Sequence, residues 1–132
     1  MKSSLQQGVT GTRTVQIDKA RTIDFMGENL RVYATPSLVA DMEYCCRDLL
    51  LEHLDAGEDS VGTRVEIDHT GATLLGMSVE ISTTIKSVDG RLVVFDVTAT
   101  DDLEQVAHCI HTRFIVETAK LQTRLEAKAA KL

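Results

Sequence analysis

The chain has 132 residues, 43% hydrophobic and 26% charged, with a formal net charge of −6 at pH 7. That length supports one hydrophobic core, and the acidic balance argues against nucleic acid as a partner, whose phosphates demand a basic surface. No apolar run approaches the roughly 18 residues that span a bilayer, and Met1 to Gln7 lack the apolar stretch of a secretion signal. A cytoplasmic protein with no membrane partner is expected. Its one domain covers residues 1–132, with a core over about 12–117.

In chain order, Arg13 to Ile17 alternate and predict an opening strand. A polar connection follows to about Leu30. Thr35-Pro36-Ser37-Leu38 reads as a helix start. Proline suits the first turn, where its missing N–H would be unpaired anyway, and Thr35 before it is expected to be the N-cap. This helix should run to about Leu54 and stop near Gly57, which can take a left-handed conformation. Val61, Thr63, Val65, Ile67 and His69 then alternate with polar residues and predict a strand with one apolar face. Met77 to Ile85 repeat the pattern, and Asp89-Gly90 is a hairpin signal leading into Leu92 to Val97. A last strand carries Val106, His108, Ile110, Thr112, Phe114 and Val116 on one face. The Ala/Lys/Leu/Glu-rich tail predicts a helix over about 118–131. Cys45, Cys46 and Cys109 have neither disulfide nor metal spacing and are expected to be reduced core thiols. The order is α+β: a curved antiparallel sheet packed on one long helix. Other helix-on-sheet folds remain open at this point.

One carboxylate falls in an unusual place. At about 100° per residue, Asp48, Asp41 and Glu52 lie roughly 140–180° from Glu43 and are expected to share a solvated face. Glu43 is flanked by Val39, Cys46, Leu50 and Leu54 and is expected in the buried arc. An ionised carboxylate there must be paired or neutralised. One alternative is an intrahelical pair with Arg47, four residues on; the other is a general base or nucleophile. Thr35, at the helix start, is either a plain cap or a group placed near N–H donors. His69 ends its strand on the apolar parity, as a core residue or a catalytic one. His53, His108 and His111 have no ligand spacing, and His111 falls on the polar parity.

The run Val32-Tyr33-Ala34-Thr35-Pro36-Ser37-Leu38-Val39-Ala40-Asp41-Met42-Glu43 resembles the signature of the fluoroacetyl-CoA thioesterase-like family of hotdog proteins. The resemblance continues through Gly57 to Val65, Ile67 to Thr73, Gly76-Met77 and Ser87 to Arg91, and reaches His111-Thr112-Arg113. It implies a hotdog fold and hydrolysis of an acyl-CoA thioester. It also implies a homodimer or dimer of dimers, with the active site at or near the subunit interface. Thr35, Glu43 and His69 align with the catalytic positions, and Gly62 with the glycine beside the thioester. Pro36 is an expected substrate contact. No metal is implied, and no cofactor beyond the coenzyme A carried by the substrate. The family's usual IGxGxHxR strand reads here as Val106-Ala107-His108-Cys109-Ile110-His111-Thr112-Arg113, with both glycines replaced. An ordinary acyl-CoA is therefore expected rather than the fluoroacetyl ester. The competing reading is a hotdog protein that binds acyl-CoA without turning it over. A dehydratase would need a histidine on the central helix, and His53 lies too near its end.

Overall fold

The computed structural model describes residues 1–132. Strand β1 (Thr10–Gln16) leads through two short 3-10 turns into helix α1 (Thr35–Leu51), followed by β2 (Glu58–His69), β3 (Ser78–Asp89), β4 (Leu92–Thr100), β5 (Gln105–Glu117) and helix α2 (Thr118–Ala129). The five strands form one antiparallel sheet in the order β1-β3-β4-β5-β2. Helix α1 touches both edge strands, β1 and β2, as well as β3, so the sheet curls around it. This is the architecture expected from the residues.

The local chemistry explains the boundaries. Pro36 occupies the first turn of α1, while Ala34 is the N-cap; Thr35 is thus the first helical residue, and its hydroxyl is free for another partner. The helix ends three residues earlier than expected, at Leu51, and Gly57 turns the chain into β2 at φ +85°. Asp89 pairs with Leu92, leaving a two-residue hairpin whose first member, Gly90, has φ +59°. This is the primed-turn geometry that matches strand twist.

The core is built from the inward faces of the strands and one arc of α1. Val79, Ile81, Thr83 and Ile85 of β3 meet Val93, Phe95, Val97 and Ala99 of β4, all buried. From the helix come Leu38, Met42, Cys45, Cys46, Leu49 and Leu50. The three cysteines are free and buried. Burial pushes the Cys45 thiol to about 11 and the Cys46 thiol to about 12.

Two expectations about faces are corrected. Asp41 is buried, not solvated: it accepts from Tyr33 Oη at 2.5 Å and from Arg21 Nε at 2.9 Å. Glu43 sits at the rim of the buried arc, its side chain 38% exposed. The buried set spans Leu50 through Met42 to Asp41, about 180° of the helix, with Glu43 just outside one edge.

A third correction concerns parity. Gly62 pairs with Arg113, but Arg64 pairs with Thr112, so Thr63 is the extra residue of a β-bulge. Residues directly opposite share a face. Ser60 and Gly62 therefore face the helix before the bulge, and Val65, Ile67 and His69 after it. Val61 lies on the outer face, opposite to Val65. In β5 the helix-facing set is Ala107, Cys109, His111, Arg113 and Ile115, all buried. That is the parity the sequence reading had assigned to the polar side.

Candidate active site

Two polar clusters lie along α1. At its N-terminal end, Thr35 Oγ1 and His69 Nδ1 are 2.8 Å apart. Their setting follows from the chain around them. His69 is the last residue of β2, paired with Ala107 of β5, and Tyr33 meets its ring edge-on with centroids 6.4 Å apart. The Tyr33–Asp41–Arg21 bonds tie the segment before the helix to the helix itself, which fixes where Thr35 begins. Burial pulls the His69 ring below its ordinary value, opposed by the Gly71 backbone, so the imidazole is neutral at pH 7. Its Nε2 is buried and has no hydrogen-bond partner in the chain. Ile23, Val32, Thr70, Gly71 and Ala72 complete a pocket of about 340 Å³ around the pair.

The second cluster is centred on Glu43, eight residues or about 12 Å further along the helix axis. Glu43 does not pair with Arg47, whose guanidinium makes a fork to Asp59 at 2.9 and 2.7 Å. Its partner is Arg113, whose Nη1 donates to Oε2 at 3.3 Å. Arg113 is itself anchored by Nε to Ser60 Oγ at 2.7 Å and by Nη2 to the Ser60 carbonyl at 2.9 Å. Burial lowers the pull of this guanidinium on its proton, and Glu43 acts against that; it remains a cation. His111, 1% exposed, stands with Nε2 4.0 Å from Glu43 Oε2. Glu43, Arg113, Ala40, Tyr44 and Arg47 line an open cleft of about 460 Å³. Glu43 Oε1 makes no hydrogen bond within the chain and is free to meet a ligand.

Gly62 lies against this carboxylate. A Cβ there would come within 2.6 Å of Glu43 Oε2 and 3.2 Å of His111 Cε1, so any side chain at this position would displace the carboxylate. Pro36 is exposed on the first turn of α1, on the Thr35 side. Within one chain the structure thus joins Thr35 to His69 and Gly62 to Glu43, but not the two groups to each other. From sequence, Arg113 enters only through the family resemblance, with no role of its own, and His111 is only a weak candidate. The available signal was their i, i+2 spacing, which puts two strand residues on one face.

The sheet order and enclosed helix define the class, a hotdog fold. Comparison with known proteins narrows it. The sequence profile of the fluoroacetyl-CoA-specific thioesterase family matches residues 17–119, and the chain belongs to that family, a family of thioester hydrolases. A curated relative, the fluoroacetyl-CoA thioesterase of Streptantibioticus cattleyicolor, is 27% identical over 97% of each chain. The crystal structure of a point mutant of a fluoroacetyl-CoA-specific thioesterase superposes with a TM-score of 0.88 at 26% identity, covering 96% of this chain and 99% of that one. A hypothetical Thermus thermophilus protein described as a thioesterase superfamily member gives 0.89 at 23% identity, over 98% and 96%, and speaks for the fold alone.

Proposed function

We propose that the chain hydrolyses an acyl-CoA thioester to the free acid and coenzyme A, with Glu43 as base or nucleophile and with Thr35 and His69 assisting. The observation that carries this reading is Glu43 itself: a half-exposed carboxylate with one oxygen held by buried Arg113 and the other open to a cleft. Such a carboxylate is oriented but not consumed by its ion pair, as activating a water or attacking a carbonyl requires. The Gly62 backbone N–H is the donor for the developing oxyanion, since its missing side chain allows close approach. Thr35 donates its hydroxyl proton to His69 Nδ1, which leaves the hydrogen on Nε2, the atom without an acceptor. That N–H hydrogen-bonds the departing sulfur, and the proton that ends on the thiolate is the one the attacking water gives up through Glu43. A related thioesterase, 27% identical, has been solved in complex with fluoroacetate and CoA, which supports an acyl-CoA as the ligand class.

The working unit is a homodimer. Strand β2 is a sheet edge, and Val61, Val65, Tyr44 and Leu51 are exposed on it and on the neighbouring face of α1. An unpaired edge with apolar residues is a template for a second copy. Antiparallel pairing of two β2 edges centred near Val65 and Glu66 sets the partner's His69 opposite Gly62. Each Glu43 then meets a Thr35–His69 pair from the other subunit, which resolves the separation found within one chain.

The test is thiol release over a panel of acyl-CoA esters from acetyl to long-chain and aryl, with Glu43→Gln alongside. Wild type should turn over at least one ester, and Glu43→Gln should lose on the order of a hundredfold in kcat. Binding without release across the panel would instead make this an acyl-CoA-binding protein.

A further inference from the structure

The chemistry around His111 is not explained by the reaction alone. Its ring is buried, stacks on Phe95 at 6.3 Å between centroids with 27° between planes, and bridges the bulge of β2 to the Arg113–Glu43 pair. We propose that His111 is a positioning residue for Glu43: its unprotonated Nε2 accepts from Arg113 and so holds the guanidinium on the carboxylate. This rests on the reading of Glu43 as the reacting group.

The tautomer follows from its neighbours. His111 Nδ1 is 2.7 Å from the backbone carbonyl of Arg64, and a carbonyl only accepts, so Nδ1 carries the hydrogen. Arg64 is the residue immediately after Thr63, the extra residue of the bulge. On the other side, Nε2 lies 3.2 Å from Arg113 Nη1, and a guanidinium only donates. Both contacts are satisfied by one neutral tautomer and by no other state: a second proton on Nε2 would set donor against donor. Arg113 Nη1 is thereby shared between Nε2 and Glu43 Oε2, while its other two nitrogens are fixed on Ser60. Without the Nε2 acceptor, Glu43 itself is the only partner left on Nη1, so the guanidinium can tilt about its two bonds to Ser60 and carry the carboxylate with it.

Two substitutions separate this role from plain structural support. His111→Asn keeps an amide N–H for the Arg64 carbonyl but has no acceptor at the Nε2 position. His111→Gln places an amide oxygen there. We expect His111→Asn to lose tenfold to a hundredfold in kcat with little change in KM, a cost typical of a misplaced reacting group on the order of 1 Å. His111→Gln should recover most of that loss. A merely structural histidine predicts the reverse order, with Asn the better replacement. In the folded wild type at pH 7, nitrogen NMR of labelled histidine should show Nδ1 protonated and Nε2 bare, with distinct, slowly exchanging Arg113 Nη signals that merge in His111→Asn. A protonated Nε2, or Asn matching Gln in both kcat and Arg113 signals, overturns the proposal. Should wild type hydrolyse no ester, the reaction assignment fails by itself, and the ring and guanidinium signals still decide the positioning role.

Discussion

A single methyl group at Gly62 would stand 2.6 Å from Glu43 Oε2, closer than any packed pair tolerates, so the carboxylate or the strand must move. Gly62→Ala should therefore fold but lose roughly tenfold or more in kcat, measured on the best ester of the panel; unchanged turnover would mean that Glu43 has slack the geometry denies. The histidines make a second prediction at this scale. Burial holds both His69 and His111 below the ordinary value of about 6.5. Below that pH the unfolded chain takes up protons that the folded chain resists, so this contribution is fully present above about 6.5 and is lost as pH falls towards the folded values. The urea midpoint should drop between about pH 7.5 and about pH 5.5, and the drop should shrink in His111→Asn. Asp59, held low chiefly by Arg47, adds its own loss only at more acidic pH, near the ordinary carboxylate range of about 4.

The bulge at Thr63 decides which residues of β2 face the helix. It brings Ser60 and Gly62 to the same side as Val65, Ile67 and His69, which a regular strand with period two cannot do. Deleting Thr63 would remove the extra residue and leave Gly62 opposite Arg113 and Arg64 opposite Thr112 in a regular ladder, with both halves of β2 on their present faces. We expect the deletion to fold with a loss of no more than about 1 kcal/mol in stability, read from denaturant unfolding; a loss of several kcal/mol would show that the bulge itself, and not the pairing on either side of it, holds β2 in place. The same bulge marks the limit of what the sequence could say. Alternation along β3 and β4, the Asp89-Gly90 hairpin and the proline-led helix were all legible, because each depends on local geometry. The face of β5 was not: its buried histidine and arginine look polar, and the partners that satisfy them, Ser60, the Arg64 carbonyl and Glu43, lie on β2 and α1. Glu43 was singled out for being deep in the apolar arc. The structure retains it as the central carboxylate of the candidate site but places it on the arc's edge, where water and ligand can reach it. Asp41, the carboxylate that is in fact buried, escaped notice because its partners Arg21 and Tyr33 come from a connection with no periodic signal.

For the whole molecule, the separation of the two clusters gives a test that no single subunit can pass. If each site takes Glu43 from one copy and His69 from the other, Glu43→Gln and His69→Ala are each inactive alone, yet a mixed dimer holds one intact site. Equal mixing with subunit exchange should restore about a quarter of wild-type activity, since half the dimers are mixed and half their sites are whole. No recovery, with exchange verified by mass, would place each site within one chain. The thiols of the core bear on how such activity is followed. Cys45, Cys46 and Cys109 lie in the core between helix and sheet, and burial raises all three above the ordinary thiol value, so almost no thiolate is present at neutral pH and none at the surface. The folded protein is therefore blind to aromatic disulfide reagents. Each coenzyme A set free can be counted by colour as it forms, and a slow rise in protein-derived colour reports unfolding instead.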